Sequence, residues 1–370
     1  MKLGSDILFE KHSDLIEGKR LAVLAHMASL DSNGTHIIDK MLEGEKTHKW
    51  KLSAIFAPEH GLDGIAQDME PVKSSKKEKV PIHSLYGETF ASLSPTPEML
   101  KDVDVLIVDL QDIGSRYYTY VNTMVLCIRV CHALKIKVIV CDRPNPINGV
   151  TKEGGGVESE FRSFVGMFDL PVRHAMTIGE IAEQFSPSMA QVIHMQGWNR
   201  EHYWDHAGLK WVNPSPNMRS LTSALLYPGM CLLEGTNVSE GRGTHTPFET
   251  MGAPWMDGEE LARKMHALRL KGIDFDPVVF TPTSRKFENE RCEGLQFIIT
   301  DRKVFRPYLT GLALIHTIAA TYPRDFKWRR EPYEFVSDIP AIDLLTGNGK
   351  FRKLVDKKRP FEEIAILTSL

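Results

Sequence analysis

Short apolar runs alternate with stretches of helical spacing along the first half of the chain. Four runs rich in Val, Ile, Leu and Ala predict buried strands at residues 20–26, 51–57, 103–110 and 137–141. The intervening residues 35–42 and 117–134 carry apolar side chains at the spacing of a helix. Continuous apolar strands separated by helices predict a parallel sheet that helices cover on both faces.

Predicted strands and helices continue to alternate up to about residue 245, and the pattern differs beyond it. Thr177 opens a predicted helix, Glu180 completes its capping box, and a strand follows at residues 191–195. Beyond residue 245 the pattern predicts helices at 256–271 and 307–322 and strands at 273–281 and 294–300. We therefore expect a larger α/β domain over residues 1–245 and a smaller C-terminal α/β domain over residues 246–370. Residues 73–79 are expected to form a charged loop.

Composition and charge exclude several classes of partner. The 370 residues carry a formal net charge of −3, and the basic runs at Lys76-Lys77 and at residues 357–359 are short, so no nucleic-acid partner is expected. No apolar run approaches the ~20 residues that a membrane span needs. Five scattered cysteines suit reduced thiols, and residues 1–20 lack the apolar core of a signal peptide. These features predict a cytoplasmic protein.

Polar side chains follow three consecutive predicted strands. Pro58-Glu59-His60-Gly61 comes after the second strand, residues 109–116 after the third, and residues 142–146 after the fourth. Ligands bind beyond the carboxyl ends of strands in open parallel sheets, so this repetition predicts a ligand site. Each group has a structural alternative: an Asp142–Arg143 ion pair, a turn at residues 145–146, or a buried Asp109 that holds backbone amides.

A second polar region covers residues 211–218 and 227–244. Its amides, carboxylates and tryptophan suit a carbohydrate, because amides and carboxylates bond hydroxyl groups and an indole ring packs on a sugar face. Neither a nucleotide-binding glycine loop nor a GxSxG nucleophile motif is present. No HExxH or similar pair fixes a metal site, although side chains of four residues could converge on a cation. These are His60, Asp109, Asp112 and His174. We expect no cofactor and no metal.

Eight strings in this sequence resemble those of the exo-β-N-acetylmuramidase family founded on NamZ. They extend over nearly the whole chain and are PEHG (58–61), SLYG (84–87), DLQDIGSRYYTY (109–120), DRPNPING (142–149), FVGMFDLPVRHAMTIGE (164–180), WVNPSPNM (211–218), YPGMCLLEGTNVSEGRGT (227–244) and PFETMGAPW (247–255). The resemblance implies a Rossmann-like N-terminal catalytic domain, a smaller C-terminal auxiliary domain and an active site in the cleft between them. It also implies release of N-acetylmuramic acid from the non-reducing ends of peptidoglycan fragments.

This sequence departs from the family pattern in four places. Family members are often exported, and no leader is recognisable here. Residues 25–29 replace a Thr-Asn type string, Ala175 stands where the family usually has Gly, and the usual final helix and strand are not expected at the C-terminus. The departures leave PEHG and the 234–244 loop intact.

The resemblance places the family's favoured catalytic glutamate on Glu59. The same residue follows the second predicted strand, where a ligand site is expected. Glycoside hydrolysis commonly needs two carboxyl groups. Glu59 is the expected general acid; Asp112 and Glu240 are the leading candidates for its partner, ahead of Asp109 and Glu234. The substrate's lactyl carboxylate calls for a cation, for which Arg116, Arg143 and Arg242 are candidates. Hydroxyl and acetamido groups are expected to meet His60, Tyr118, Asn145, His174, Asn217 and Asn237.

The expected partner is a peptidoglycan-derived oligosaccharide or muropeptide. Two other classes remain open at this stage. A metal-dependent amidase acting on the same glycan would lose activity in chelator, and a non-catalytic sugar-binding protein would give no turnover. An acidic side chain at a strand end favours an enzyme over a binding module, because pure binding seldom needs a proton donor.

Overall fold

The computed structural model describes residues 1–64, 66–67, 69–73, 75–77 and 79–368. Its packing divides the chain into two compact units. The first unit comprises Met1–Gly114, Tyr118–Val150 and Ala175–Pro216, and the second comprises Ser115–Tyr117, Thr151–His174 and Asn217–Leu370. These packing units divide the chain differently from the predicted boundary at residue 245, because residues 217–245 pack with the C-terminal elements and two earlier segments join them.

The first unit is built on a seven-stranded sheet. Its strands are β1 (Arg20–Ala25), β2 (Lys51–Ala57), β3 (Ser75–Lys77), β4 (Val80–Ser84), β5 (Val105–Asp109), β6 (Lys137–Cys141) and β7 (Gln191–Ile193). Their order is β3-β4-β2-β1-β5-β6-β7, and all pairs are parallel except β3 with β4. The α-helices that the structure describes in this unit are α1 (Gly4–Lys11), α2 (Ile37–Lys46), α3 (Pro97–Leu100), α4 (Tyr120–Ala133) and α5 (Ile178–Phe185).

The central strands are apolar on both faces because both faces are covered. Leu21 and Val23 of β1 belong to a core that α1 and α2 complete with Ile7 and Ile38. Leu24, which points to the opposite face, is equally buried. α4 and α5 pack against β6. The predicted Rossmann-like parallel sheet is therefore confirmed, as is the capping box at Thr177 and Glu180, which begins α5.

Two parts of the first unit differ from the pattern-based prediction. Residues 75–77, expected within a loop, form β3, which pairs antiparallel with β4. This strand at the sheet edge has no apolar residue, so periodicity could not reveal it; charged edge strands are common because they discourage pairing with another chain. The first helix, α1, was also not predicted.

The second unit contains a smaller, antiparallel sheet. Its elements are α6 (Leu221–Met230), β8 (Thr250–Ala253), α7 (Gly258–Ala267), β9 (Ile273–Phe280), β10 (Cys292–Ile299), α8 (Pro307–Thr321), α9 (Ala341–Thr346), α10 (Lys350–Asp356) and α11 (Phe361–Ala365). β10 lies between β8 and β9. α6 crosses α8 where Gly229 meets Gly311, and a Cβ on Gly311 would lie 2.3 Å from the Gly229 carbonyl oxygen. None of the helices in the described residues is long and apolar enough to cross a membrane.

A buried ion pair fastens the carboxyl edge of the large sheet. Asp109 ends β5, and Arg143 follows β6 by two residues; they are 0% and 3% exposed. The Arg143 Nε donates to Asp109 Oδ1 at 2.5 Å, and Nη2 donates to Asp109 Oδ2 at 2.9 Å and to the Leu30 carbonyl at 2.6 Å. The pair therefore ties β5, the segment after β6 and the segment after β1 together.

Ala175 adopts a left-handed backbone conformation, with φ of +58°. It is buried, and its carbonyl accepts a hydrogen bond from the Arg200 guanidinium at 2.9 Å. A Cβ makes this conformation unfavourable by about 1–2 kcal/mol, a penalty that Gly avoids. The structure thus accounts physically for the glycine that the family usually has at this position.

We expect Arg143→Met to lower the free energy of unfolding by about 3–5 kcal/mol, because it leaves the Asp109 carboxylate buried without its counter-charge. Urea unfolding monitored by circular dichroism measures the loss. The double variant Asp109→Asn/Arg143→Met should recover more than half of it, since no bare charge then remains. A single variant that loses less than about 1 kcal/mol would contradict the structural role.

Ala175→Gly should raise the free energy of unfolding by about 1 kcal/mol, because the left-handed strain disappears and outweighs the extra flexibility of Gly in the unfolded chain. Ala320→Gly in α8, an exposed position, is the matched control and should lower it by about 0.5–1 kcal/mol. Thermal and urea denaturation of both variants give the comparison. Equal losses in the two variants would disprove the strain.

Candidate functional site

Glu59 lies two residues beyond β2, in a tight turn at the carboxyl edge of the sheet. His60 and Gly61 have φ of +73° and +76°, and a non-glycine residue tolerates such values only where its surroundings enforce them. The glutamate is 5% exposed. Its Oε2 accepts a hydrogen bond from the Thr119 hydroxyl at 2.8 Å, and its Oε1 accepts one from the Met69 N–H at 3.3 Å. The carboxyl group is thus held at both oxygens.

His26 and Tyr120 support the backbone around Glu59. The Gln111 N–H donates to His26 Nε2 at 2.9 Å, so the ring proton lies on Nδ1, which donates to the Pro214 carbonyl at 3.2 Å. The Tyr120 hydroxyl donates to the same carbonyl at 2.7 Å and lies 3.4 Å from the Glu59 carbonyl oxygen. Burial lowers the pKa of His26 well below its ordinary value, so the ring is neutral.

Tyr118 experiences the charge of two carboxylates. Burial raises the pKa of its phenol, and the nearby Asp112 and Glu59 raise it further. Asp112 is buried and accepts the Gly114 N–H at 2.6 Å through Oδ2, which shapes the turn after β5. Glu59 and Asp112, two of the predicted catalytic residues, therefore lie in the first unit and both act on one phenol.

The other predicted site residues of the first unit have structural contacts. His60 is buried, and its Nδ1 lies 2.9 Å from the Ala66 carbonyl oxygen. Asn145 donates to the Met176 carbonyl at 2.9 Å and accepts the Ile147 N–H at 3.1 Å, so it braces its own loop. Asp109 and Arg143 bind each other, as described above. Within the described residues, no three His, Cys, Asp or Glu side chains are placed to hold one metal ion.

In the second unit, Arg242 lies between Glu234 and Glu240. Its Nη2 donates to Glu234 Oε1 at 2.6 Å, and its Nε lies 3.1 Å from Glu240 Oε1. The Tyr333 hydroxyl donates to Glu234 Oε2 at 2.7 Å. Lys286 donates to Glu240 Oε2 at 3.0 Å and to the carbonyls of residues 233 and 238, both at 2.9 Å. Two cations thus balance two buried carboxylates.

The remaining predicted residues of the second unit are largely buried. Arg116 donates to three backbone carbonyls, at 2.8 Å to residues 155 and 170 and at 2.6 Å to residue 345, and burial lowers its pKa. Asn237 donates to the Asp325 carbonyl and accepts the Lys327 N–H, both at 2.9 Å. His174 and Asn217 are buried. Arg116 and Asn237 therefore already bind protein groups.

Several residues that contact the predicted ones were not predicted from the sequence, among them Thr119, Tyr120, Lys286 and Tyr333. Their partners are distant along the chain; Thr119 and Glu59, for example, are 60 residues apart. Thr119 lies inside the helix predicted over residues 117–134, and nothing in that pattern indicates a distant partner. The bond from its hydroxyl to Glu59 is seen only in the structure.

Comparison with known proteins agrees with this architecture. The family model for the N-terminal part of the exo-β-N-acetylmuramidase NamZ matches residues 21–222, and the model for the C-terminal part matches residues 225–368. The chain is 40% identical to the peptidoglycan β-N-acetylmuramidase NamZ of Bacillus subtilis (strain 168) over 98% of this chain and 86% of that protein.

Two crystal structures of DUF1343 family proteins from Bacteroides fragilis are also similar. The first has a TM-score of 0.87 and 31% identity, covering 99% of this chain and 94% of the other. The second has a TM-score of 0.70 and 27% identity, covering 99% and 93%. Because both halves of the family model match and together span almost all of the sequence, the chain belongs to the exo-β-N-acetylmuramidase NamZ family.

Proposed function

We propose that this protein is an exo-acting glycoside hydrolase that releases N-acetylmuramic acid from the non-reducing ends of peptidoglycan fragments. Membership of the NamZ family and the β-N-acetylmuramidase activity of the Bacillus relative support the reaction. The observation that carries it is the placement of Glu59, which is buried at the carboxyl edge of a parallel sheet and held at both carboxyl oxygens.

Glu59 acts as the general acid in this proposal. Cleavage of a glycosidic bond leaves negative charge on the departing sugar oxygen, and a proton from a positioned carboxyl group removes it. Both hydrogen bonds and the strained turn at residues 60–61 limit the rotamers of Glu59. A fixed acid loses little entropy on reaching the transition state, so positioning adds to the rate.

Asp112 is the proposed partner carboxylate. It belongs to the same packing unit as Glu59, and both carboxyl groups lie near the Tyr118 phenol. Glu240, the other leading candidate, already has Arg242 and Lys286 against its two oxygens. A base or nucleophile needs an available lone pair, so a carboxylate neutralised by two cations is the weaker candidate.

We also propose that Arg116, Arg143 or Arg242 binds the lactyl carboxylate of the substrate. Each guanidinium already contacts protein acceptors: carbonyls for Arg116, Asp109 for Arg143, and two glutamates for Arg242. Substrate binding would have to exchange one of these contacts. Arg242 is the strongest of the three, because Glu240 also binds Lys286 and would keep a cation if a substrate carboxylate took its place beside the Arg242 Nε.

We also propose that the enzyme works in the cytoplasm on glycan fragments taken up by the cell. All five cysteines are buried thiols without a disulfide, which suits a reducing compartment. A pocket that removes terminal residues suits short soluble oligomers better than a cross-linked wall. The role would then be recycling of wall material.

We expect Glu59→Gln to fold normally and to lose turnover by about 10²–10⁴-fold, because the amide keeps the shape but cannot donate the proton. Release of N-acetylmuramic acid from N-acetylmuramyl-N-acetylglucosamine measures the loss. Glu201→Gln, at an exposed position of the same unit, is the matched control and should keep full activity. More than a tenth of wild-type activity in Glu59→Gln would remove Glu59 from this role.

The cytoplasmic location predicts that fractionation of source cells recovers the protein with a cytoplasmic marker enzyme. An antibody against the purified protein provides the measurement, and a known periplasmic or secreted protein provides the control. Recovery in the periplasm or the medium would overturn the location and leave the chemistry unaffected.

A further inference from the structure

Thr119 occupies the N-cap position of α4 but does not cap the helix. A capping Thr has extended backbone angles and accepts a helix N–H with its hydroxyl. Here the backbone is helical, with φ of −69° and ψ of −9°, and no side-chain cap bond forms. The hydroxyl donates to Glu59 Oε2 at 2.8 Å instead. A group that helices normally use for stability is therefore directed at the proposed acid.

We propose that Thr119 is a positioning residue that holds Glu59 Oε2 in place in both protonation states of the acid. This inference rests on the proposed function. A hydroxyl can donate to a carboxylate and, after rotation, accept from a carboxylic acid. The second partner of Glu59, the Met69 N–H at 3.3 Å, can only donate. Thr119 can therefore keep its hydrogen bond to Glu59 both before and after Glu59 gives up its proton.

The surroundings of Thr119 fix its hydroxyl. The residue is 5% exposed, and the rings of its two chain neighbours, Tyr118 and Tyr120, pack against each other with centroids 4.7 Å apart. Tyr120 is anchored to the Pro214 carbonyl at 2.7 Å. The β-branched side chain of Thr has few rotamers, so little side-chain entropy is lost when its hydroxyl is held against Glu59. Little water can compete for the Glu59 oxygen.

The proposal predicts an effect that depends on the leaving group. A sugar leaving group needs a proton as the bond breaks, whereas a p-nitrophenol leaving group departs as a stable anion and needs little help. Misplacing the acid should slow the first reaction and spare the second. Loss of general stability or of substrate binding would slow both alike.

The test uses Thr119→Val, which keeps the shape and removes the hydroxyl. We expect kcat on N-acetylmuramyl-N-acetylglucosamine to fall about 10- to 100-fold with KM nearly unchanged, and kcat on the p-nitrophenyl N-acetylmuramide to fall less than about 3-fold. Thr119→Ser should restore most of the activity. Thr123→Val is the matched control: it is buried one turn along α4, its hydroxyl lies 3.4 Å from the Thr119 carbonyl, and it should change neither rate.

Equal losses on the two substrates, or failure of Thr119→Ser to restore activity, would overturn the proposal. Melting temperatures are measured for every variant; if Thr119→Val does not fold, the comparison of Thr119→Ala with Thr119→Ser on both substrates decides. Glu59→Gln is assayed in parallel. If Glu59→Gln is selective for the sugar leaving group and Thr119→Val is not, only the role of Thr119 fails. If Glu59→Gln slows both substrates alike, the assignment of Glu59 as acid fails as well.

Discussion

Charge buried at the carboxyl edge of a parallel sheet is tolerated only when geometry compensates for the lost water, and the Asp109–Arg143 pair meets that condition. Two guanidinium nitrogens meet two carboxylate oxygens, and a third acceptor comes from the Leu30 carbonyl. Because such a pair cannot shift without exposing a bare charge, it fixes where the chain leaves β5. The segment that leaves there carries Asp112, Tyr118 and Thr119. The position of the site therefore depends on an interaction that does no chemistry.

Much of this fold could be predicted from hydrophobic pattern, and the exceptions have physical causes. β1, β2, β5 and β6 are apolar on both faces and were found within a few residues. β3 was not, because an edge strand of polar residues has no apolar alternation that would reveal it. Residues 115–117 and 151–174 belong to the second packing unit, although along the sequence they lie between segments of the first. Long-range contacts decide this assignment, and no local sequence pattern predicts such contacts.

The candidate site, like the fold, could be predicted only in part. The strand-end rule led to Glu59 and Asp112, since every parallel strand delivers its next residues to one edge. It could not assign partners. The sequence offers Asp142 as a local partner of Arg143, whereas the structure pairs Arg143 with Asp109, and Asp142 accepts the Gly179 N–H. Asp109 is buried, as its structural alternative expects, but a guanidinium binds it where backbone amides were expected. The hydroxyl of Thr119 bonds Glu59 through a contact that only folding creates.

The neutral His26 has a consequence for how the enzyme responds to acidity. Burial keeps its pKa far below the ordinary value, while burial raises the pKa of Tyr120 well above its own. Burial lowers the pKa of Arg143, but the charge and the hydrogen bonds of Asp109, with smaller contributions from Cys141 and Asp6, together raise it above its ordinary value. His26, Tyr120 and Arg143 therefore each keep one charge state from mildly acidic to mildly alkaline solution. A change of turnover with acidity in that interval thus originates in other ionisable groups of the enzyme or in the substrate, and not in these three supports.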